Sequence, residues 1–456
     1  MQLSVGISTS DLKRLDHRSA SLAVGGGAEL SVLRVPINSN AATIYPGSQT
    51  QALGRAASGE VIRLDRKNSS NSLFVTVGKR IFKVEEGSVL FIKPLNGSGP
   101  VSVHTLKRAG GKGKAAPAYR GVMVARAYGN SSLRLSLILD IDDYLRGVLQ
   151  SEIPASYHAE AIKAQAVAAR TYSLNPRVDH RPDGINVCDS YLCCQYFGGL
   201  NANLSSAHRL AISATSNQIL TYEDKPILAL FSSNAGGHTE SYENCFSDPH
   251  SNAFPPQAIP YLVGVSEAQS GFKQPVDMER YLRRLWTAGQ PKTVDSWSHH
   301  FKWNLSITGN QLESHLHNNI AKLSNNKESA PFIVAPSTAK FGHINNFKVL
   351  KRGVSGSIIE ILISTSKGDW LVKKELVIRD FFSIPGKVKR LKSSRFYFDV
   401  HRTSGSGLIS SLSLKGLGWG HGVGLQQTGA QGWAKAGLDY RKILAHYYQH
   451  TNIERA

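Results

Sequence analysis

Short apolar runs separated by turn-forming residues dominate the first quarter of the chain. Five of these runs have the length of strands, and their apolar residues alternate with polar ones or follow one another without a break. The five segments are LSVLRVPI, GEVIRL, SLFVTV, RIFKV and SVLFIKP. The pattern therefore predicts a β-rich N-terminal region over residues 1–108.

A small, basic segment, GGKGKAAP at residues 110–117, is typical of a connector between domains. The sequence after it, YRGVMVARAYGNSSLRLSLILDI, contains two apolar β-rich runs around Gly129 and Asn130, which predicts a hairpin. We therefore place a domain boundary at the connector and a second domain over residues 119–456.

Two segments further along have the composition of helices. Alanine and straight-chain residues, which have the highest helix propensity, dominate residues 157–173. Ser156 is the expected N-cap of this helix, and Pro176 limits its C-terminal end. A second helix is predicted over residues 205–216, and a strand pair follows it in QILTYEDKPILALFSS.

The region from about residue 270 to residue 350 is polar and mixed. Two amphipathic helices are predicted there by apolar residues at helical spacing, namely Leu282, Leu285 and Trp286, then Leu312, Leu316 and Ile320. Strands are predicted again in NNFKVL, SIIEILIS, WLVKKELVI and FYFDV. Because antiparallel strand runs are segregated from the helices and no repeat is evident, the predicted fold class is α+β.

The composition of the chain is that of a globular protein, but its net charge is unusually positive. The chain has 456 residues, of which 41% are hydrophobic and 8% aromatic, as in a globular protein, yet its formal net charge is +20. Such an excess of lysine and arginine favours an anionic partner, either nucleic acid, acidic lipid or an anionic cell-wall polymer. A generally basic surface without a dedicated site is the alternative. No nucleic acid is expected, because no motif that reads nucleic acid is recognisable.

No segment approaches the ~20 apolar residues that a membrane span requires. The first residues, MQLSVGISTSDLKRLDHRS, lack the apolar core of a signal peptide. Two interpretations remain open at this point: an export signal has been removed from the sequence, or the protein stays inside the cell.

All four cysteines lie in the central region of the chain, at positions 188, 193, 194 and 245. Their clustering favours a local metal or redox role over a distributed disulfide framework. A disulfide between Cys188 and Cys194 is the alternative for an exported protein.

One acid stands out in the segment DDYLRGVLQSEIPASYHAEAIKAQAVAARTYS at residues 142–173. Glu152 is predicted to lie in a short apolar connection before a helix with almost no other acid, so it is a candidate proton donor. The alternative is a carboxylate that caps the helix or complements its dipole. The runs DYLRGVLQSEIP and AIKAQAVAARTYS resemble, in order and spacing, the sporulation stage II protein D family, which includes proteins of the amidase-enhancer type.

Two glycine-rich blocks extend the resemblance towards the C terminus. SSNAGGHTE, followed by IPYLVGV, resembles the Ser-rich Gly-Gly-x-Thr segment of the family, although a simple tight turn would also explain its glycines. GLGWGHGVGLQQTGAQGWAKAGLDYRKILAHYYQ resembles the family's C-terminal signature, with a core histidine as the alternative interpretation of His421. No nucleotide cofactor is expected, because neither block has the lysine of a P-loop or a dinucleotide fingerprint.

The resemblance implies a lytic transglycosylase acting on peptidoglycan strands whose stem peptides have been removed. Glu152 would protonate the oxygen between N-acetylmuramic acid and N-acetylglucosamine. It would then act as the base on the muramic C6 hydroxyl, leaving a 1,6-anhydro end. Ordinary glycosidases pair two carboxyl groups, whereas here the substrate supplies its own nucleophile, so one acid suffices. Apolar neighbours such as Leu149, Ile153 and Pro154 would help the carboxyl group to hold its proton.

The resemblance also implies site residues. Those expected to bind substrate are Lys163, Gln165, Arg170, Tyr172, Ser232, Ser233, Gly236, Gly237, Thr239, His421, Gln426 and Gln427. In some members of the family a histidine and two cysteines hold zinc, and the corresponding residues here are His180, Cys188 and Cys194. Such a zinc ion would be structural or would shape the site.

The resemblance further implies a place in the bacterial cell envelope, with the export signal absent from this sequence. An N-acetylmuramoyl-L-alanine amidase is a possible partner, because some relatives were named for enhancing one. The alternative function is therefore a non-catalytic wall-binding protein that enhances such an amidase.

Overall fold

A computed structural model describes residues 1–35, 47, 49–66, 71–95, 97, 99–110, 113–175, 180, 184–200, 204–270, 273–289, 292–384 and 386–456. Pro176 and residues 111 and 112 of the predicted connector lie outside the described residues. The chain forms two compact units, one of Met1–Leu228 with Glu454–Ala456 and one of Ala229–Ile453. Each unit combines antiparallel sheets with helices, which confirms the α+β class.

The N-terminal part of the first unit consists of short strands, as its alternating pattern predicts. In chain order they are β1 (Gln2–Ile7), β2 (Asp16–His17), β3 (Ser19–Val24), β4 (Ala28–Arg34), β5 (Gln51–Ala56), β6 (Val61–Arg66), β7 (Leu73–Val77), β8 (Arg80–Val84), β9 (Ser88–Pro94), β10 (Val101–Val103), β11 (Arg108–Gly110), β12 (Gly113–Ala115), β13 (Ala118–Tyr119), β14 (Val122–Tyr128) and β15 (Ser132–Asp140). All five strand segments predicted in this region are confirmed by β4 and β6 to β9. The hairpin predicted around Gly129 is confirmed by β14 and β15.

The remaining elements of the first unit follow β15. They are α1 (Ile141–Glu152), α2 (Ala159–Leu174), β16 (Val187–Cys188), α3 (Ser206–Ala214), β17 (Gln218–Tyr222) and β18 (Lys225–Pro226). One sheet has the order β16-β1-β15-β14-β9-β4-β5, with β2 joined to β15, and a second has the order β13-β10-β3-β6-β7-β8. Strands from both sides of residues 108–119 share these sheets. The boundary proposed there remains a prediction.

Two local expectations in this unit were wrong. Glu152 does not lie in an irregular connection, because it is the last residue of α1, a helix that was not predicted. Asp140 caps this helix by accepting a hydrogen bond from Asp142 N at 2.8 Å. Ser156 does not cap α2; His158 does, since its Nδ1 accepts from Glu160 N at 3.3 Å. The second predicted helix is confirmed as α3, and the predicted strand pair as β17 and β18.

The second unit contains the rest of the chain up to Ile453. Its elements are β19 (Phe231–Ser232), α4 (Tyr242–Cys245), α5 (Met278–Thr287), β20 (Lys302–Thr308), α6 (Gly309–Ser324), a 3₁₀ turn (Ala330–Phe332), β21 (Ile333–Val334), β22 (Ile344–Arg352), β23 (Ile358–Thr365), β24 (Gly368–Lys373), α7 (Glu375–Phe381), β25 (Phe396–Arg402), β26 (Ile409–Leu417), β27 (Leu425–Gln426), α8 (Gln427–Lys435) and α9 (Tyr440–Tyr447). The final strand, β28 (Asn452–Arg455), runs into the last residues of the chain. None of the helices in the described ranges is long and apolar enough to cross a membrane.

A large apolar core holds the second unit together. The two predicted amphipathic helices are confirmed as α5 and α6, and α6 buries Leu312, Leu316 and Ile320 in this core. The sheets have the orders β20-β26-β25 and β21-β24-β23-β22. The strand predicted over WLVKKELVI was wrong in its second half, because Lys374 has a φ of 70° and the chain then turns into α7. Strands β20 and β26 were not predicted.

Candidate active site and metal centre

Glu152 occupies the C-terminal end of α1, in the first unit, and is partly buried. Its Oε1 accepts a hydrogen bond from the backbone N–H of Tyr196 at 2.9 Å. Because the C-terminal end of a helix carries the negative end of its dipole, a carboxylate here gains nothing from the helix. The alternative considered for Glu152 concerned the helix that follows it, and His158 rather than Glu152 caps that helix, α2. A role for Glu152 in complementing the dipole of α2 stays the alternative.

The backbone just after Glu152 is fixed by a buried histidine of α3. His208 Nε2 donates to Ile153 O at 2.9 Å, and its Nδ1 lies 3.2 Å from the hydroxyl of Ser205, the N-cap residue of α3. Burial lowers the pKa of His208 and so favours the neutral ring, in which Nε2 donates to Ile153 O and Nδ1 can accept from the Ser205 hydroxyl. His208 therefore acts as a positioning residue that holds the end of α1.

Two of the residues expected to bind substrate, Lys163 and Arg170, are cations of α2, and each is paired with an acid. Lys163 Nζ lies 2.7 Å from Glu160 Oε1, within α2. Arg170 is fully buried, and its guanidinium lies 3.1 Å from both Asp142 Oδ1 and the carbonyl oxygen of Gln218. Burial lowers the pKa of Arg170, and the Asp142 carboxylate opposes that shift. These contacts give Arg170 a structural role, and the substrate-binding roles of both residues stay predictions.

The other two predicted substrate-binding residues of α2 are Gln165 and Tyr172. Gln165 is fully buried, and neither its Oε1 nor its Nε2 has a hydrogen-bond partner in the described structure. Ala169 lies one helical turn after Gln165, and its carbonyl oxygen accepts a hydrogen bond from Gln195 Nε2 at 3.0 Å. The same Nε2 also donates to the Tyr144 hydroxyl at 2.9 Å. Burial, and then the neighbouring Cys194, raises the pKa of Tyr172.

The predicted metal ligands come together, and a further cysteine joins them. One ligand atom from each of His180, Cys188, Cys193 and Cys194 lies within 4.8 Å of all the others. His180 Nε2 is 3.2 Å from Cys193 Sγ, which is 3.9 Å from Cys194 Sγ. All four cysteines of the chain are free thiols, so the disulfide considered between Cys188 and Cys194 is not formed.

The donor set of this cluster fits zinc. Three thiolates and one imidazole form a common structural set, and in a tetrahedron with Zn–S bonds of about 2.3 Å two sulfurs lie about 3.8 Å apart. The Sγ atoms of Cys193 and Cys194 have nearly this separation. The neighbouring thiols and burial raise the pKa of Cys194, so three thiolates could coexist here only around a cation. Cys193 was not among the predicted ligands, because its position beside Cys194 left open which thiols would bind.

A buried ion pair anchors the loop that carries these cysteines. Asp189, next to Cys188, is 0% exposed and lies 2.7 Å from the guanidinium of Arg108. It also accepts from the hydroxyl of Ser8 and from the backbone N–H of Ser8, the latter at 2.9 Å. The loop is thus fixed to the segment just after β1. Burial raises the pKa of Asp189, and the nearby guanidinium opposes that rise.

In the second unit, both glycine-rich blocks meet along the parallel pair β19 and β27. The hydroxyl of Ser232 donates to Gln426 Oε1 at 3.0 Å and accepts from Gly422 N at 3.1 Å. The carbonyl of Ser233 accepts from both the backbone N–H and the hydroxyl of Thr428. Gln427, which is partly exposed, begins α8. The structure therefore brings Ser232, Ser233 and Gln426 together.

The Gly-Gly turn is buried rather than open. Gly236 and Gly237 have φ values of 67° and 102°, and a Cβ on Gly236 would come within 2.7 Å of the Leu417 side chain. Gly237 N donates to Asp295 Oδ2 at 2.9 Å. Thr239 is also buried, and its Oγ1 accepts from Val265 N at 2.6 Å. These contacts support a tight internal turn. The substrate contacts proposed for these three residues stay predictions.

His421 is a neutral histidine that joins the two blocks. Its Nε2 donates to Phe231 O at 3.1 Å, while its Nδ1 accepts from Val423 N at 3.0 Å. Burial, and then the positive charge of Arg379, lowers the pKa of His421 to about 4. Both ring nitrogens are therefore engaged by the backbone, which supports the core-histidine alternative. Its role in substrate binding stays a prediction.

Comparisons with known proteins place both units in context. Residues 130–222 match a family described as stage II sporulation protein, and residues 248–424 match a domain of unknown function. The amidase enhancer of Bacillus subtilis (strain 168) is 27% identical over 313 residues, which are 68% of this chain but 40% of that protein. Stage II sporulation protein D of Bacillus amyloliquefaciens is 26% identical over 389 residues, covering 82% of this chain and 90% of that protein. Its counterpart in Bacillus subtilis (strain 168) is 28% identical over 331 residues, covering 70% of this chain and 75% of that protein.

The first of these matches contains Glu152, all of α2 and the cysteine cluster. Residues 130–222 therefore form a segment of the stage II sporulation protein family, and the chain as a whole is similar to stage II sporulation protein D and to the amidase enhancer. It spans less than half of the length of the amidase enhancer that it matches.

Proposed function

We propose that this protein is a peptidoglycan lytic transglycosylase of the bacterial cell envelope. It cleaves the bond between N-acetylmuramic acid and N-acetylglucosamine in glycan strands that lack stem peptides, and it leaves 1,6-anhydro-N-acetylmuramic acid ends. The cell-wall setting follows from its relatives, which are named for sporulation and for enhancing an amidase. The chemistry is our proposal, and it depends on Glu152.

The observation that carries the proposal is the place of Glu152 within the segment that matches the stage II sporulation protein family. This partly buried carboxyl group lies at the C-terminal end of α1, where its Oε1 accepts a hydrogen bond from the backbone N–H of Tyr196 at 2.9 Å. A general acid must be held in a fixed position beside the bond that it protonates, and this contact supports such a role.

In the proposed reaction, Glu152 begins protonated and donates its proton to the glycosidic oxygen as the bond to the anomeric carbon breaks. The resulting carboxylate then takes the proton of the muramic C6 hydroxyl, and that oxygen forms the new bond to the anomeric carbon. One carboxyl group thus serves both steps, and no water molecule is consumed. The hydrogen bond from Tyr196 N–H and the anchoring of Ile153 by His208 hold Glu152 in place for both steps.

Product analysis tests the proposal directly. We expect the purified protein to release fragments ending in 1,6-anhydro-N-acetylmuramic acid from strands that an amidase has stripped of peptides. Mass spectrometry distinguishes these ends from the reducing ends that hydrolysis leaves, since hydrolysis adds one water. Intact sacculi are the comparison substrate. Products with only reducing ends would refute the transglycosylase chemistry.

We also propose that His180, Cys188, Cys193 and Cys194 hold one structural zinc ion. Such an ion would stabilise the loop after β16, from which Gln195 reaches Tyr144 and Tyr196 reaches Glu152. The zinc would have no part in the reaction itself.

We predict a zinc content of about one ion per chain, measured by mass spectrometry under native conditions. Cys193→Ser should speed the transfer of zinc to a chromogenic chelator and lower the affinity by more than the roughly 10- to 100-fold typical of second-shell changes. Cys245→Ser is the matched control, because Cys245 lies outside the cluster and contacts His421 O instead. Zinc release at the same rate from both variants would exclude Cys193 as a ligand.

A second candidate function follows from the relative named amidase enhancer, which matches 68% of this chain. In that case the protein would bind the cell wall and increase the activity of an N-acetylmuramoyl-L-alanine amidase without cleaving glycan. Measuring the release of stem peptides from sacculi by an added amidase, with and without this protein, tests this function. An increase that persists in a Glu152→Gln variant would support it.

A further inference from the structure

A basic groove in the second unit has no part in the proposed chemistry. It is a cavity of about 430 Å³ beside the segment KVKRLK, residues 387–392. Four of these six residues are lysine or arginine that line the cavity, and Arg379 of α7 adds a fifth cation. Trp303, Leu305 and Trp419 contribute apolar walls. We call this cavity the basic groove.

The charge of the groove is only partly neutralised. Arg379 is paired with Glu375 at 3.1 Å, and Arg390 is paired with Asp380 at 2.6 Å. In the part of the chain that the structure describes, Lys387, Lys389 and Lys392 form no ion pair. Three uncompensated ammonium groups along one short segment attract a ligand with several negative charges.

Trp419 adds an aromatic surface to these charges. It is 40% exposed, although the glycine-rich block that carries it is otherwise largely buried. Lys392 Nζ lies over its ring at 4.8 Å from the centroid, and the ring of His300 packs against it edge to face at 4.3 Å. A sugar can contact the exposed part of the ring while its acid group meets the lysine.

The groove is preorganised. Gly420 N donates to the carbonyl of Lys392 at 2.8 Å, which joins the basic segment to the glycine-rich block. Arg379 Nε donates to the carbonyl of Leu391 at 2.8 Å, and this guanidinium is buried. Since the backbone of the segment is fixed at these points, its lysines are presented from a defined surface.

We propose that the basic groove binds an acidic glycan, namely a sugar chain with free carboxylates at regular intervals. The proposal rests on the proposed function, because strands without stem peptides expose the lactyl carboxylate of each N-acetylmuramic acid. A stem peptide would occupy that carboxyl group in an amide bond and remove the charge that the lysines attract. The groove would therefore favour stripped strands over intact ones.

Isothermal titration calorimetry with the full-length Glu152→Gln protein tests the proposal, since this variant should leave the strands uncleaved. The probe is a preparation of peptide-free glycan strands. The same strands with their carboxyl groups amidated, chitooligosaccharides and single-stranded DNA of equal charge serve as comparisons. We expect the free strands to bind tightest, in a salt-sensitive manner, and amidation to weaken binding about tenfold or more.

Matched variants test whether the three unpaired lysines of the groove are responsible for the binding. Replacing Lys387, Lys389 and Lys392 together by glutamine should weaken the binding of the free strands about tenfold and leave chitooligosaccharide binding unchanged. The control replaces Lys322, Lys348 and Lys351, three exposed lysines of the same unit outside the groove, and should bind as before. A Lys389→Glu variant should weaken binding on its own. This single variant tests the role of the lysines even if the triple variant fails to fold.

Three results would overturn the proposal: equal binding of amidated and free strands, equal losses in the two triple variants, or tighter binding of the DNA. The last of these would identify a surface for nucleic acid. These outcomes are independent of the reaction, because binding is measured without cleavage. The wild-type protein could fail to form anhydro ends while the groove still selects carboxylates, and the reverse could also occur.

Discussion

Replacing Glu152 by glutamine should lower the rate at which anhydro ends form by about 10²- to 10⁴-fold, the usual contribution of a general acid–base residue. Glutamine keeps the length of the side chain, and its Oε1 can still accept the hydrogen bond from Tyr196 N–H. What it loses is a carboxyl proton to donate and a carboxylate to receive one. The measurement is the initial rate of anhydro-product release from peptide-free strands, followed by mass spectrometry.

A control in the same helix separates chemistry from charge. Asp143 also lies on α1, but it is partly exposed and paired with Arg146 at 3.0 Å. Asp143→Asn removes one acid and should leave the rate within about twofold, since exposed pairs of this kind contribute only about 0–1 kcal/mol. Thermal unfolding of both variants should match that of the wild type. A Glu152→Gln protein that forms anhydro ends at the wild-type rate would refute the assignment.

Much of the fold could be predicted because it rests on local patterns. Strands β6 and β7 bury every second residue, so their sequences alternate visibly. Helix α1 was not predicted, and no glycine or proline separates it from β15 in the sequence. Its start is set by one side chain, that of Asp140, which accepts a hydrogen bond from the backbone N–H of Asp142. A single cap of this kind is a short-range signal that is easily overlooked at the end of a strand.

The candidate site could likewise be predicted from the sequence only where its residues lie close together along the chain. His180, Cys188 and Cys194 are close in sequence, so a resemblance to known zinc sites was enough to group them, and the structure brings them together. The contacts that hold Glu152 were invisible in the sequence. Tyr196 acts through its backbone, and the contact of His208 with Ile153 joins residues 55 positions apart. Long-range partners depend on tertiary packing, which no local pattern encodes.

The largest effect on stability should come from Asp189→Ala. This change leaves the guanidinium of Arg108, which is 8% exposed, buried without its carboxylate, and it also removes the acceptor of two hydrogen bonds from Ser8. We expect the free energy of unfolding of the first unit to fall by about 3–5 kcal/mol. All six tryptophans lie in the second unit. Hydrogen exchange measured on peptides of the first unit is therefore the suitable probe.

Two further variants test the physical cause of this loss. Asp16→Ala removes an acid paired with Arg134 in the same unit, but Asp16 is 38% exposed, so the cost should not exceed about 1 kcal/mol. The double variant Arg108→Met with Asp189→Leu should be more stable than Asp189→Ala alone, because it leaves no unpaired buried charge. The raised pKa of Asp189 agrees with this expectation, since burial outweighs the attraction of Arg108. If the double variant were the less stable of the two, the ion pair itself, rather than the cost of an orphaned charge, would hold the cysteine loop to the sheet.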